Sequence, residues 1–302
     1  MRRLRRLSVI LLALGCVSAP ESLPRWTDVS VAHGTTCLAQ GTEWTCYGDD
    51  VLLPGPGTHL WVANGSQAPI GADQIGCVLD EDGLLSCVAA PAGFPLDLPT
   101  DPLAEFVGFA NGVIGLDHDG RVSLWSDNPT DPTLLGSGYH SPRSHTDRMC
   151  LVDSQTVPIC FGPGPGSGDL PDGGVLVADP FTNSVCSLLV TGEVECFVQG
   201  DSPEYTEVPE GPFVELGATD GPVCAIRAED GSLACWGEHW DSDPGQDVPT
   251  AAEHYPDGPG WSDLTCSDEH CCAFQDEEVQ CWGYVDERDY LDVPPRPPES
   301  GP

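Results

Sequence analysis

CAIRAEDGSLACWG, residues 224–237, contains the unit from which the chain is built. Cys224 and Cys235 flank an acidic turn signal that ends in Gly231, and apolar positions alternate on both sides of it. This alternation around a short turn is typical of a β-hairpin. The spacing places the two cysteines opposite each other across the turn, so we predict that a disulfide joins them.

Five further cysteine pairs repeat this unit at spacings of 9 or 10 residues, against 11 for Cys224/Cys235: Cys37/Cys46, Cys77/Cys87, Cys150/Cys160, Cys186/Cys196 and Cys272/Cys281. Another copy, GVIGLDHDGRVSLW at residues 112–125, has Ile114 and Leu124 in the cysteine positions. Joint loss of both cysteines is expected of a cross-strand disulfide, because a lone thiol would have no partner. The chain therefore contains seven repeats, at intervals of 36 to 48 residues.

Cysteine usage predicts an oxidising compartment. Of 15 cysteines, 12 form the six hairpin pairs, Cys266 and Cys271 form a seventh pair, and Cys16 is left over. A second connectivity, Cys271 with Cys281 and Cys266 with Cys272, stays open. Disulfides in this number place the protein outside the cytoplasm.

The N-terminus resembles a bacterial lipoprotein signal. MRRLRRLSVILLALGC has an arginine-rich start, an apolar run too short to span a membrane, and Gly15-Cys16 at its end. The resemblance implies a lipid on Cys16 and attachment to the cell envelope, at the outer membrane or surface; removal of Cys16 with the leader, and secretion, is the alternative. We predict a leader at residues 1–16, a linker at 17–25, one domain at 26–294 and a proline-rich tail at 295–302.

The repeat length predicts the architecture. Closely spaced turn signals without a long helical pattern indicate an array of β-units. We predict an all-β, seven-bladed β-propeller with three short antiparallel strands in each blade and hairpin disulfides in most blades. An open β-solenoid is the alternative. Aromatic residues that mark the repeats are expected to be core anchors: Trp26, Tyr47, Trp125, Phe161, Phe197, Phe213, Trp236, Trp261 and Trp282.

The repeat at residues 208–249 and the Cys-Trp-Gly at 281–283 resemble the regulator of chromosome condensation repeat in its secreted bacterial form. The resemblance covers nearly all of the mature chain and implies a seven-bladed propeller. That family includes a nucleotide-exchange factor that binds chromatin and a bacterial β-lactamase inhibitor, so the fold does not imply one function. The basic features of the exchange factor are missing, and its activity is not carried over.

Charge restricts the partners. The chain has 11 arginines, no lysine and 48 acidic residues, for a net charge of −37. Such a surface repels nucleic acid and anionic lipid, so we expect no nucleic-acid partner and membrane contact only through the lipid. It is compatible with basic partners, divalent cations or a saline habitat.

No catalytic or metal-binding motif stands out. The acidic turns at residues 80–83 and 117–120 match hairpin turns better than calcium loops, and the histidines are scattered. We therefore predict a monomeric, non-enzymatic binding propeller without a cofactor, whose variable acidic loops meet a protein or glycan of the envelope. Trp240 and Tyr255, in the longest loop, are the candidate contacts. A hydrolase or lyase with carboxylate or histidine chemistry in the channel, and a calcium-dependent adhesin, are the alternatives.

Overall fold

The computed structural model describes residues 25–32, 34–49, 53–64, 74–90, 98–109, 112–126, 133–145, 148–153, 158–161, 175–179, 184–198, 208–219, 222–237, 255–267, 269–283 and 294. These parts of the chain contain β-strands and turns and no helix. The all-β prediction is therefore confirmed. No segment among them is a helix long and apolar enough to cross a membrane.

The described residues form 22 strands: β1 Asp28–Ala32, β2 Thr35–Gln40, β3 Glu43–Gly48, β4 His59–Asn64, β5 Gln74–Leu79, β6 Leu85–Ala90, β7 Glu105–Phe109, β8 Gly112–Leu116, β9 Arg121–Ser126, β10 Thr133–Ser137, β11 Tyr139–His145, β12 Arg148–Asp153, β13 Pro158–Phe161, β14 Val175–Asp179, β15 Ser184–Leu188, β16 Val194–Val198, β17 Phe213–Ala218, β18 Val223–Arg227, β19 Leu233–Trp236, β20 Trp261–Cys266, β21 His270–Gln275 and β22 Glu278–Gly283.

These strands pair as antiparallel sheets of consecutive strands: β1 to β3, β4 to β6, β7 to β10, β11 to β13, β14 to β16, β17 to β19 and β20 to β22. We number the sheets first to seventh in this order. The third sheet differs from the predicted three strands because β10 adds a fourth strand beside β9.

The register follows the cysteine pattern. Cys224 lies opposite Cys235, and Ile114 lies opposite Leu124 in the repeat that lacks cysteines. Position 114 therefore keeps the place of a paired cysteine and fills it with a buried aliphatic side chain. Facing positions in an antiparallel pair are close enough for either a disulfide or an apolar contact.

The prediction of hairpin disulfides is confirmed by six bonds with Cα–Cα distances of 3.9 to 4.1 Å: Cys37–Cys46, Cys77–Cys87, Cys186–Cys196, Cys224–Cys235, Cys266–Cys271 and Cys272–Cys281. The alternative connectivity in the last repeat is therefore not formed. The backbones of Cys150 and Cys160 face each other in the fourth sheet.

The apolar core lies between neighbouring sheets. Trp236 of the sixth sheet packs with Phe213 and with Leu188 of the fifth, and the rings of Trp236 and Phe213 are 6.1 Å apart. Trp282 of the seventh sheet packs in the same way against Ile226 of the sixth. These aromatic residues are therefore core anchors, as their repeat positions predict.

The first strands of successive sheets contact one another in order, and β20 of the seventh sheet contacts β1 of the first. Trp26, Val29 and Leu38 of the first repeat share a core cluster with Phe274 and Val279 of the seventh. The two ends of the repeat array are therefore packed together. We call this junction between the first and seventh sheets the seam.

Candidate functional site

Acidic side chains build the turns between the second and third strands. Asp80 Oδ1 accepts hydrogen bonds from the amides of Asp82 (3.0 Å) and Leu84 (2.8 Å). Asp117 Oδ1 accepts equivalent bonds from Asp119 and Arg121, each at 2.8 Å. An aspartate that bonds the following amides stabilises a tight turn. These carboxylates therefore act as turn residues in the structure.

Each of these turns is bonded to the segment that enters the next sheet. The Gly83 carbonyl accepts from the Leu103 amide (2.8 Å), Gly192 from Phe213 (2.6 Å), and Gly231 from Trp261 (2.9 Å). Thr42 and Gly120 make the equivalent bonds to Gly57 and Gly138. We call these bonds the inter-sheet clasps. They place the turns and the starts of the first strands at one end of the sheets, which we call the turn face.

Two of the clasps require glycine, at positions 83 and 231. Gly83 and Gly231 have φ angles of +78° and +72°, a region that side chains rarely adopt. A Cβ atom on Gly83 would also lie 2.6 Å from the Leu103 oxygen. The glycine of the turn signal therefore allows both the tight hairpin turn and the close approach of the next sheet.

The seam uses different groups at the turn face. The seventh turn has Asp276 and Glu277 at φ +50° and +73°, where other turns have glycine. Glu277 forms an ion pair with Arg25, and Trp26 Nε1 donates to the Pro294 carbonyl (3.0 Å). Pro294, at the end of the predicted domain, therefore contacts Trp26, the first aromatic anchor.

A polar network holds the other end of the seam. His270 is fully buried; its Nε2 lies 2.8 Å from Thr36 Oγ1 of the first sheet, and its Nδ1 lies 3.0 Å from Ser267 Oγ. The Gly34 amide donates to Glu269 Oε2 (3.1 Å). The histidine was one of eight scattered in the sequence, and no local pattern identified its partner 234 residues away.

The starts of the first strands carry charged groups that influence one another. Burial raises the pKa of the Asp28 carboxyl; the Val29 amide and His59 oppose this shift, and Asp263 adds to it. Glu215 is engaged, since its two carboxylate oxygens accept from the amides of Asp263 (3.2 Å) and Leu264 (2.6 Å). This clamp joins the bulged segments of β17 and β20.

Among the residues that the structure describes, three large apolar side chains are exposed on the turn face. Val190 is 81% exposed and Leu84 39% exposed, each in a hairpin turn, and Val214 at the start of β17 is 54% exposed. Sequence reasoning did not single them out. Their exposure depends on how the turns meet neighbouring sheets, which the hairpin pattern does not contain.

Among the predicted contacts, Tyr255 is half-buried and packs against the cluster between the sixth and seventh sheets. Part of its side chain is therefore available to a partner. Trp240 and the lipidation candidate Cys16 lie outside the described residues. No group of three or more metal-binding side chains occurs within the described part of the chain.

Comparison with known proteins identifies the type of fold. No family model matches the chain. The CRINKLY WD40 ectodomain of the Arabidopsis thaliana receptor kinase ACR4 is similar, with 18% identity, a TM-score of 0.66, and coverage of 89% of this chain and 99% of that one. The chain has a propeller-type fold.

Two further structures agree. The entire ectodomain of the Physcomitrella patens receptor kinase CR4 has 20% identity and a TM-score of 0.57, over 87% of this chain and 75% of that one. Hsv2 from Kluyveromyces lactis has 8% identity and a TM-score of 0.52, over 87% and 95%. The six disulfides fit an extracytoplasmic protein.

Proposed function

We propose that this protein is a monomeric, non-enzymatic interaction module of the bacterial cell envelope, and that its partner, a protein or glycan, binds at the turn face. The observation that carries the proposal is the turn face itself. Clasps and disulfides hold its backbone, while its turns expose side chains of different chemistry. A surface held in place before binding loses less conformational entropy when the partner docks.

The proposal includes a closed ring of seven blades of the regulator of chromosome condensation type. The repeats at residues 208–249 and 281–283 support this assignment, together with the contact between β20 and β1. In a closed ring the first strands of all blades surround one axis, and the turn face becomes a continuous surface. The two receptor ectodomains of similar fold support an interaction role.

Envelope attachment through Cys16 is tested by changing it to serine. Without the thiol no lipid can be attached, so Cys16→Ser protein is expected to accumulate as unprocessed precursor, to lose fatty-acid labelling and to leave the membrane fraction. Normal processing of the variant together with a water-soluble wild-type protein would show that the leader is an ordinary secretory signal.

The binding role is tested with Trp240→Ala/Tyr255→Ala. We expect this double change to reduce the binding free energy for an identified envelope partner by about 2 kcal/mol or more, because aromatic side chains dominate interface energies. Binding is measured by calorimetry with a partner recovered on the mature domain. Tyr47→Ala, which removes another half-buried tyrosine, is the control for indirect effects on packing. An unchanged affinity would remove these residues from the interface.

The alternative is a hydrolase or lyase, and Asp28 is the observation that favours it. Its carboxyl has a raised pKa and lies near His59 and Asp263, as a general acid would require. Cleavage of envelope glycans by the purified protein, with a pH profile that Asp28→Asn abolishes, would establish this function in place of the binding role.

A further inference from the structure

We propose that the exposed pair Val190 and Val214, at the junction of the fifth and sixth sheets, docks a basic segment of a partner protein, with an aliphatic side chain flanked by lysine or arginine. This inference rests on the proposed function and adds the place and chemistry of contact. We call Val190, Val214 and the exposed Pro212 between them the apolar junction.

The two valines come together because of one inter-sheet clasp. The Phe213 amide bonds to the Gly192 carbonyl at 2.6 Å, and a Cβ built on Gly192 would be 2.7 Å from Pro212 Cβ. Val190 is two residues from Gly192, and Val214 is adjacent to Phe213. The clasp therefore brings the turn of the fifth sheet, which carries Val190, next to the start of the sixth sheet, which carries Val214.

The exposure of Val214 has a structural cause. The register of β17 against β18 shifts between Phe213 and Glu215, which leaves Val214 in a bulge. A bulge turns a side chain away from its place in the regular alternation. Phe213 faces the core and is 3% exposed, whereas Val214 faces outward and is 54% exposed.

Exposed carboxylates outnumber cations around the apolar junction. Glu193 follows the fifth turn, Glu210 precedes Pro212, and Glu229 lies in the sixth turn, whose Ala228 amide bonds to the Pro212 carbonyl at 2.9 Å. All three acidic residues are exposed. The nearby cation, Arg227, is already engaged: its guanidinium donates to the Glu210 carbonyl and lies 5.4 Å from the centre of the Phe213 ring.

The exposed valines and the surrounding carboxylates together indicate which kind of partner binds at the apolar junction. Aliphatic contacts at the centre and carboxylates at the rim complement a segment in which cations surround an apolar side chain. A second copy of this chain, with a net charge of −37, would bring like charges to the rim. Nucleic acid and anionic lipid are repelled for the same reason.

The test uses a synthetic peptide of alternating lysine with valine and leucine, titrated into the mature protein by calorimetry. The double variant Val190→Ser/Val214→Ser is expected to bind the peptide about tenfold more weakly than the wild type. The aliphatic contacts are lost while the charge of the protein is unchanged. Leu84→Ser is the matched control, since it removes an exposed apolar side chain from the turn face at the second sheet. We expect it to bind like the wild type.

Two further measurements separate apolar docking from general attraction. A peptide with serine in place of valine and leucine should bind about tenfold more weakly to the wild type. Glu193→Gln/Glu229→Gln should weaken binding at about 50 mM salt and make little difference at about 500 mM, where charges are screened. Unchanged melting temperatures would show that the variants are folded.

Absence of peptide binding, equal weakening by Leu84→Ser, or equal affinity for the serine peptide would overturn the inference. The proposed function is judged separately, by the envelope partner. If that partner still binds the Val190→Ser/Val214→Ser protein as tightly as the wild type, the apolar junction is not its docking site and the proposed binding role remains. If the peptide binds as expected but the protein cleaves glycans, the proposed non-enzymatic function is wrong while the docking site at the apolar junction stands.

Discussion

Changing Gly83 to alanine is expected to lower the free energy of unfolding by about 3 kcal/mol or more, measured by denaturant unfolding. Part of this loss is backbone strain at φ +78°, about 1 to 2 kcal/mol for a residue with a side chain. The rest arises because the new Cβ would lie 2.6 Å from the Leu103 oxygen, so the turn must move away and weaken its clasp to the third sheet.

Gly41→Ala separates the two contributions. Gly41 is in the turn of the first sheet with a similar φ of +65°, but a Cβ there would have no atom within 4 Å. We expect this variant to lose about 1 to 2 kcal/mol, from strain alone. Equal losses in the two variants would mean that the close approach between neighbouring sheets contributes nothing to stability.

Changing His270 to leucine is expected to cost about 3 kcal/mol, again measured by denaturant unfolding. The hydroxyls of Thr36 and Ser267 bond to the imidazole, and both would be left buried without this partner. A buried polar group that loses its hydrogen bond is destabilising by about 1 to 3 kcal/mol. Because the network joins the first and seventh sheets, amide exchange should accelerate first at the seam.

The triple variant Thr36→Val/Ser267→Ala/His270→Leu tests the cause. It removes the whole network, so no hydroxyl is left unpaired, and we expect most of the lost stability to return. If the triple variant is as unstable as His270→Leu, the shape of the imidazole rather than its hydrogen bonds supports the seam. If His270→Leu is neutral, the network does not hold the ends of the chain together.

The hairpins were predictable because their information is local. The spacing from Cys224 to Cys235, with a turn signal between them, sets both the register and the disulfide. The same logic identified Ile114 and Leu124 as a facing pair in a repeat without cysteines. Strand pairing across a short turn involves few alternatives, since a slip of one residue would reverse every side chain.

The candidate site was only partly predictable. Tyr255 was predicted as a candidate contact, and that role stays a prediction; the sequence did not indicate that the side chain is half-buried against the core between the sixth and seventh sheets. The acidic residues of the turns were expected to be turn formers, and Asp80 and Asp117 have this role. Asp28 could not be singled out because its burial depends on strands that are distant in sequence.

The sequence by itself determined the repeating hairpin, its cysteine pairs, its aromatic anchors and the acidity of the surface. Only the tertiary structure decided which turn touches which strand, that His270 meets Thr36 across the seam, and that Val190 and Val214 share one junction. The physical reason is the range of the interactions. Alternation and turn chemistry act over about ten residues, whereas contacts between sheets join residues tens to hundreds of positions apart. The repeat interval indicates that neighbouring sheets pack, but it does not indicate which side chains meet.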